Sequence, residues 1–61
     1  MKDQINRMYE VWGTDAIEPS IYEAWRATVD QHGNLTLTTL HGNTVAIWAK
    51  GHWRLVLEVE L

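Results

Sequence analysis

Ser20-Ile21-Tyr22-Glu23-Ala24-Trp25-Arg26-Ala27-Thr28-Val29-Asp30 can be read two ways, and the choice decides the fold. As a helix it opens with Ser20 and Glu23 in capping-box spacing. Ile21, Trp25, Thr28/Val29 and His32 then recur at helical intervals, and Gly33 stands where a C-terminal cap would. As a strand it offers Tyr22, Trp25, Thr28 and Val29, which suit a pleated surface, followed by Asp30-Gln31-His32-Gly33-Asn34 as a hairpin loop. The strand is the preferred reading, because that loop leads directly into another apolar run.

Downstream the pattern is regular. Gly33, Gly42 and Gly51 fall nine residues apart, each beside a histidine. Leu35–Leu40, Val45–Ala49 and Trp53–Leu61 lie between and after them, rich in β-branched, aromatic or alternating residues. His32-Gly33-Asn34, His41-Gly42-Asn43 and Lys50-Gly51-His52 supply the positive φ that tight hairpins need. The sequence therefore predicts an antiparallel β-meander of three strands, or four if residues 20–30 join it.

Upstream, Ile5, Met8, Tyr9 and Trp12 stand at i, i+3, i+4 and i+7, with Asp3, Gln4, Asn6, Arg7 and Glu10 off that stripe. This predicts an amphipathic helix over residues 3–12, with Asp3 paired to Arg7 and Gly13 as its stop. Tyr9, Val11 and Trp12 also suit a first strand, which would turn the chain into a small five-stranded SH3-like β-barrel. The helix is preferred, with Thr14–Ser20 and its Pro19 as connector. The expected fold is α+β: one small domain over residues 1–61, an N-terminal amphipathic helix packed on an antiparallel meander of three to four strands.

Side chains alternate across a strand, so the expected strands have assignable faces. Leu35, Leu37, Val45, Ile47, Trp53, Leu55 and Leu57 fall on a core face beneath the helix, with Trp25, Ala27, Val29, Ala49 and Val59. The opposite face carries Trp48, Tyr22, Arg26, Arg54, Thr36 and Thr38. Trp48 has no expected cover there, and Trp, Tyr and Arg are the residues that anchor contact surfaces. Two other outcomes compete: the face closes on itself with Trp48 as core, or two copies stack these faces in a symmetric dimer.

Composition narrows the function. Sixty-one residues make one domain, and 46% hydrophobic with 21% charged residues is the profile of a folded chain. A chain this short buries roughly 60% of the surface its unfolded form exposes, so a partner would help it. There is no cysteine, which removes disulfides and thiolate metal sites. The net charge of −3 arises in residues 1–30, too mild for a general nucleic-acid binder, whose affinity rests on several phosphate contacts. No stretch approaches a membrane span and the start lacks a signal-peptide pattern, so a cytoplasmic setting is expected.

Catalytic and metal chemistry find little support. Ser20 is the sole serine and reads as a cap, while Glu58 and Glu60 read as the solvated charges of an edge strand. In a meander the Gly33 and Gly51 turns share one end and the Gly42 turn lies at the other, which separates His41 from His32 and His52. His32, His52 and Asp30 could meet, but no spacing specifies a metal, and neither metal nor cofactor is expected. The expected function is that of a non-enzymatic protein-binding domain, an inhibitor or accessory subunit acting through the aromatic and arginine sheet face. Its acids bias it toward a basic partner. The alternatives are a single-stranded nucleic-acid module using the same face, and an obligate homo-oligomeric structural protein such as a homodimer.

Overall fold

The computed structural model describes residues 7–59. Six strands follow one another: β1 (Arg7–Gly13), β2 (Ser20–Ala24), β3 (Arg26–Val29), β4 (Leu35–Thr38), β5 (Thr44–Trp48) and β6 (Trp53–Val59). They form two antiparallel three-stranded sheets, ordered β2-β1-β6 and β3-β4-β5, and there is no helix among the described residues. The molecule is all-β, which overturns the α+β expectation of a helix packed on a meander.

The reason lies in β1. Tyr9, Val11 and Gly13 are buried while Met8, Glu10 and Trp12 are half-buried, a period of two rather than 3.6. A helix with Met8, Tyr9 and Trp12 on its stripe would have left Val11 outside, yet Val11 is fully buried. β1 is the central strand of its sheet, paired with β2 on one side and β6 on the other, and Met8 lies opposite Val59. Two ladders, one with the next strand and one with a strand about forty to fifty residues on, outweigh a local helical preference. Ile5, and Asp3 with its expected pairing to Arg7, lie outside the described residues. A first strand belonged to the barrel alternative, but the ladders make two separate three-stranded sheets rather than one continuous five-stranded wall.

Residues 20–29 are strand, bent at a single residue. Trp25 separates β2 from β3, and its N–H donates to the Thr38 carbonyl at 2.8 Å, in line with the β3–β4 ladder. One stretch of chain thus serves both sheets. The core lies between them: Tyr9, Val11, Ala24, Leu35 and Leu37 are buried, and Tyr22, Ala27, Ala46, Trp48, Trp53 and Val56 pack against them. Trp48 reaches across the gap, its ring 3.4 Å from where a β-carbon on Gly13 would stand.

The turns follow their expected chemistry. Asp30 Oδ1 accepts from the N–H groups of His32 and Asn34 at 2.8 and 3.0 Å, and Gly33 donates to the Asp30 carbonyl at 3.1 Å with φ of 87°. The Thr39–Asn43 turn repeats this plan, Thr39 Oγ1 accepting from the Asn43 N–H at 3.1 Å and Gly42 donating to the Thr39 carbonyl at 3.0 Å. Each is a tight turn closed by a glycine in the left-handed region. The meander ends there, because β6 pairs with β1 instead of β5.

Candidate protein interface

Three one-residue shifts decide which side chains reach the surface. The corner at Trp25 moves the inward set from Tyr22 and Ala24 to Ala27. A bulge opposite Leu37 and Thr38 leaves Val45 without a ladder partner, so Ala46 and Trp48 turn inward and Ile47 turns out, 65% exposed. A second bulge, opposite Trp12 and Gly13, leaves Arg54 without one. Trp53 and Val56 therefore both pack on the core, while Leu55 and Leu57 turn outward. The expected face is thereby dispersed: Trp48 and Tyr22 pack against the core, and Arg54 stands on the other sheet. Arg26, Thr36 and Thr38 do share the outer side of the β3-β4-β5 sheet, beside an open depression of about 210 Å³ lined by Trp25, Arg26, Thr38 and Leu40.

The outer face of the β2-β1-β6 sheet holds a different surface. Glu10 lies in register with Ile21 on one side and Leu57 on the other, and both apolar neighbours are exposed, 52% and 45%. Met8 lies between Glu23 and Val59, and Trp12 lies beside Leu55, which is 40% exposed. At the Trp12 end the Arg54 guanidinium covers the indole at 5.4 Å from the ring centroid, and Arg54 Nε donates to the Gly13 carbonyl at 3.3 Å. The Trp12 indole N–H is buried beneath and makes no hydrogen bond. The result is an apolar surface with an aromatic–arginine stack at one end and carboxylates within it, the composition of a protein contact site. Sequence reasoning missed Trp12, Ile21 and Leu57. For Trp12 the signal was the run Met8-Tyr9-Glu10-Val11-Trp12, which as a strand places apolar side chains on both faces; Ile21 and Leu57 had none, since register alone sets them beside Glu10.

The remaining polar clusters serve the fold. Arg7 lies over Trp25 at 5.3 Å, donates to its carbonyl at 3.4 Å and pairs with Glu58 at 3.4 Å, tying the corner to β6. Trp53 Nε1 donates to the Gly33 carbonyl at 3.1 Å and Asn34 Oδ1 accepts from the Lys50 N–H at 2.9 Å, joining the two turns at one end. The Asp30 carboxyl is held below its ordinary value by the Asn34 backbone N–H first, then the His32 N–H, the Asn34 amide and the His32 charge. That carboxylate is thus occupied by its own turn. Among the described residues no group of three or more His, Asp or Glu side chains could hold a metal ion, and no helix is long and apolar enough to cross a membrane.

No protein-family model, curated protein or solved structure matches the chain.

Proposed function

We propose that this chain is a non-enzymatic protein-binding domain, of the inhibitor or accessory-subunit kind, whose contact surface is the outer face of the β2-β1-β6 sheet. The observation that carries this reading is the register of Ile21, Glu10 and Leu57: two exposed apolar side chains flanking a carboxylate on the central strand. A carboxylate set among apolar groups favours a partner that brings a lysine or arginine ringed by apolar side chains, and repels an acidic one. A cytoplasmic setting belongs to the same proposal and rests on the sequence alone. The single-stranded nucleic-acid reading has less support, because its stacking platform required Trp48 and Tyr22 in the open, and both pack against the core.

The test uses photo-crosslinkers at position 21 and, as control, at position 47, which is exposed on the other sheet. A protein captured at 21 alone is purified and titrated by calorimetry. Ile21→Lys and Glu10→Lys are expected to weaken binding by at least about tenfold without a change of Tm, and Ile47→Lys to leave it intact. Equal affinity for all three variants would overturn the reading. So would tryptophan quenching by oligo-dT with a steep salt dependence, which would return the chain to nucleic acid.

A further inference from the structure

The β6 strand lies at the edge of its sheet, with β1 on one side and no strand on the other among the described residues. It is the longest edge strand, seven residues against five for β2 and β5 and four for β3. Exposed edges usually carry lysine or proline against association with other chains. Trp53–Val59 carries neither; the bulge and charge of Arg54 lie toward one end and Glu58 toward the other, and Leu55-Val56-Leu57 between them is apolar and symmetric about Val56. Folded antiparallel about Val56, Leu55 meets Leu57 on both sides of the axis, and all four leucines lie on the outer face.

We infer that β6 pairs antiparallel with β6 of a second copy about a two-fold axis at Val56, joining the two β2-β1-β6 sheets into one six-stranded sheet. A two-fold perpendicular to the sheet keeps paired residues on the same face, so only registers centred on a residue are allowed. Centring on Leu57 sets Glu58 against the partner's Val56, and centring on Leu55 sets Arg54 against the partner's Val56. Centring on Val56 sets Leu55 against the partner's Leu57, so four exposed leucines cover one another on the outer face. Arg54 is stacked on Trp12 and Glu58 is paired with Arg7, so both charges are engaged within their own chain and the leucines carry the contact. This pairing goes beyond the protein-binding reading and does not depend on it. If both hold, the dimer presents two copies of the contact face on one continuous surface.

Sedimentation equilibrium on the full chain, over micromolar to millimolar concentrations, is expected to give twice the 7.1 kDa chain mass at the upper end. Leu57→Lys, on the exposed edge, is expected to give a monomer with unchanged circular dichroism and Tm. Ile21→Lys lies on the same face but on β2, away from that edge, and is expected to stay dimeric. Because the chain has no cysteine, register is tested by oxidative crosslinking. A mixture of Leu55→Cys and Leu57→Cys chains is expected to crosslink faster than either variant alone. A monomer at every concentration overturns the proposal without touching the protein-binding reading. A dimer lost with Ile21→Lys and kept with Leu57→Lys overturns it in favour of face-to-face stacking.

Discussion

The Arg54 guanidinium lies over the Trp12 indole, 5.4 Å from the ring centroid, because the bulge at Arg54 brings this side chain to the outer side of the sheet. A cation over an indole at a partly exposed site stabilises by about 0.5–1 kcal/mol. Arg54→Ala is therefore expected to lower Tm by several degrees, at about 4–8 °C per kcal/mol for a domain of this size. Arg54→Lys is expected to recover only part of the loss, because lysine lacks the planar group and the Nε donor to Gly13. An Arg54→Ala chain as stable as wild type in thermal melts would show that the stack contributes nothing.

Neighbouring residues of β5 are expected to behave in opposite ways. Trp48 packs against the core and Ile47 is 65% exposed. Trp48→Ala is expected to cost about 3 kcal/mol in urea denaturation, the low end for a tryptophan because the ring is half-buried. Ile47→Ala is expected to stay within about 0.5 kcal/mol. The reverse order would place the β5 bulge elsewhere.

Two turn glycines share a positive φ but not their surroundings. A β-carbon on Gly33 would come within 3.2 Å of the Lys50 side chain, whereas one on Gly42 would meet nothing within 4 Å. Both alanine substitutions meet a left-handed backbone penalty of about 1–2 kcal/mol. Gly33→Ala is expected to lower Tm further than Gly42→Ala, since Lys50 must also move. Equal losses would mean that the Lys50 stem shifts at no cost.

Acid should act partly through Asp30. Its folded carboxyl is held below the ordinary 3.8, chiefly by the Asn34 backbone N–H, so the folded state binds its proton less readily than the unfolded chain does. The stability this gives is present above the unfolded value and is lost as pH falls through the lower folded one. A carboxyl titration by NMR is expected to place the Asp30 midpoint below 3.8, and Asp30→Asn to flatten the Tm profile in that window. A midpoint at or above 3.8 would contradict the turn geometry.

The local chemistry of the chain was legible in its letters, and the long-range pairing was not. Asp30-Gln31-His32-Gly33-Asn34 and His41-Gly42-Asn43 announce their turns because side chain, glycine and backbone act within a few residues, although Thr39 and Leu40, read as the end of a strand, belong to the second turn. The strand character of residues 20–29 was legible for the same reason, through the loop that follows them, but their division at Trp25 into β2 and β3 of two different sheets was not. Residues 7–12, the described part of the expected helix, were misread because their partners are β2 and, about forty to fifty residues on, β6. The faces went wrong at Trp25, Val45 and Arg54, where one extra residue reverses inside and outside. No local propensity marks such a residue, since it is set by the register of two strands against each other. The apolar stretch of the β1 segment was visible, but its meaning as a two-faced strand depended on that register.

The pairing of Met8 with Val59 makes the chain suited to circular permutation. A linker of a few residues would join the end of β6 to the start of β1, and new ends would open in the Thr39–Asn43 turn, where Gly42 has open space around it. In the rewired chain β6 and β1 become a neighbouring pair, while β4 and β5, a hairpin in the present order, become the most distant ladder. The final sheets are the same, and the ladder that must close the longest loop is moved from one sheet to the other.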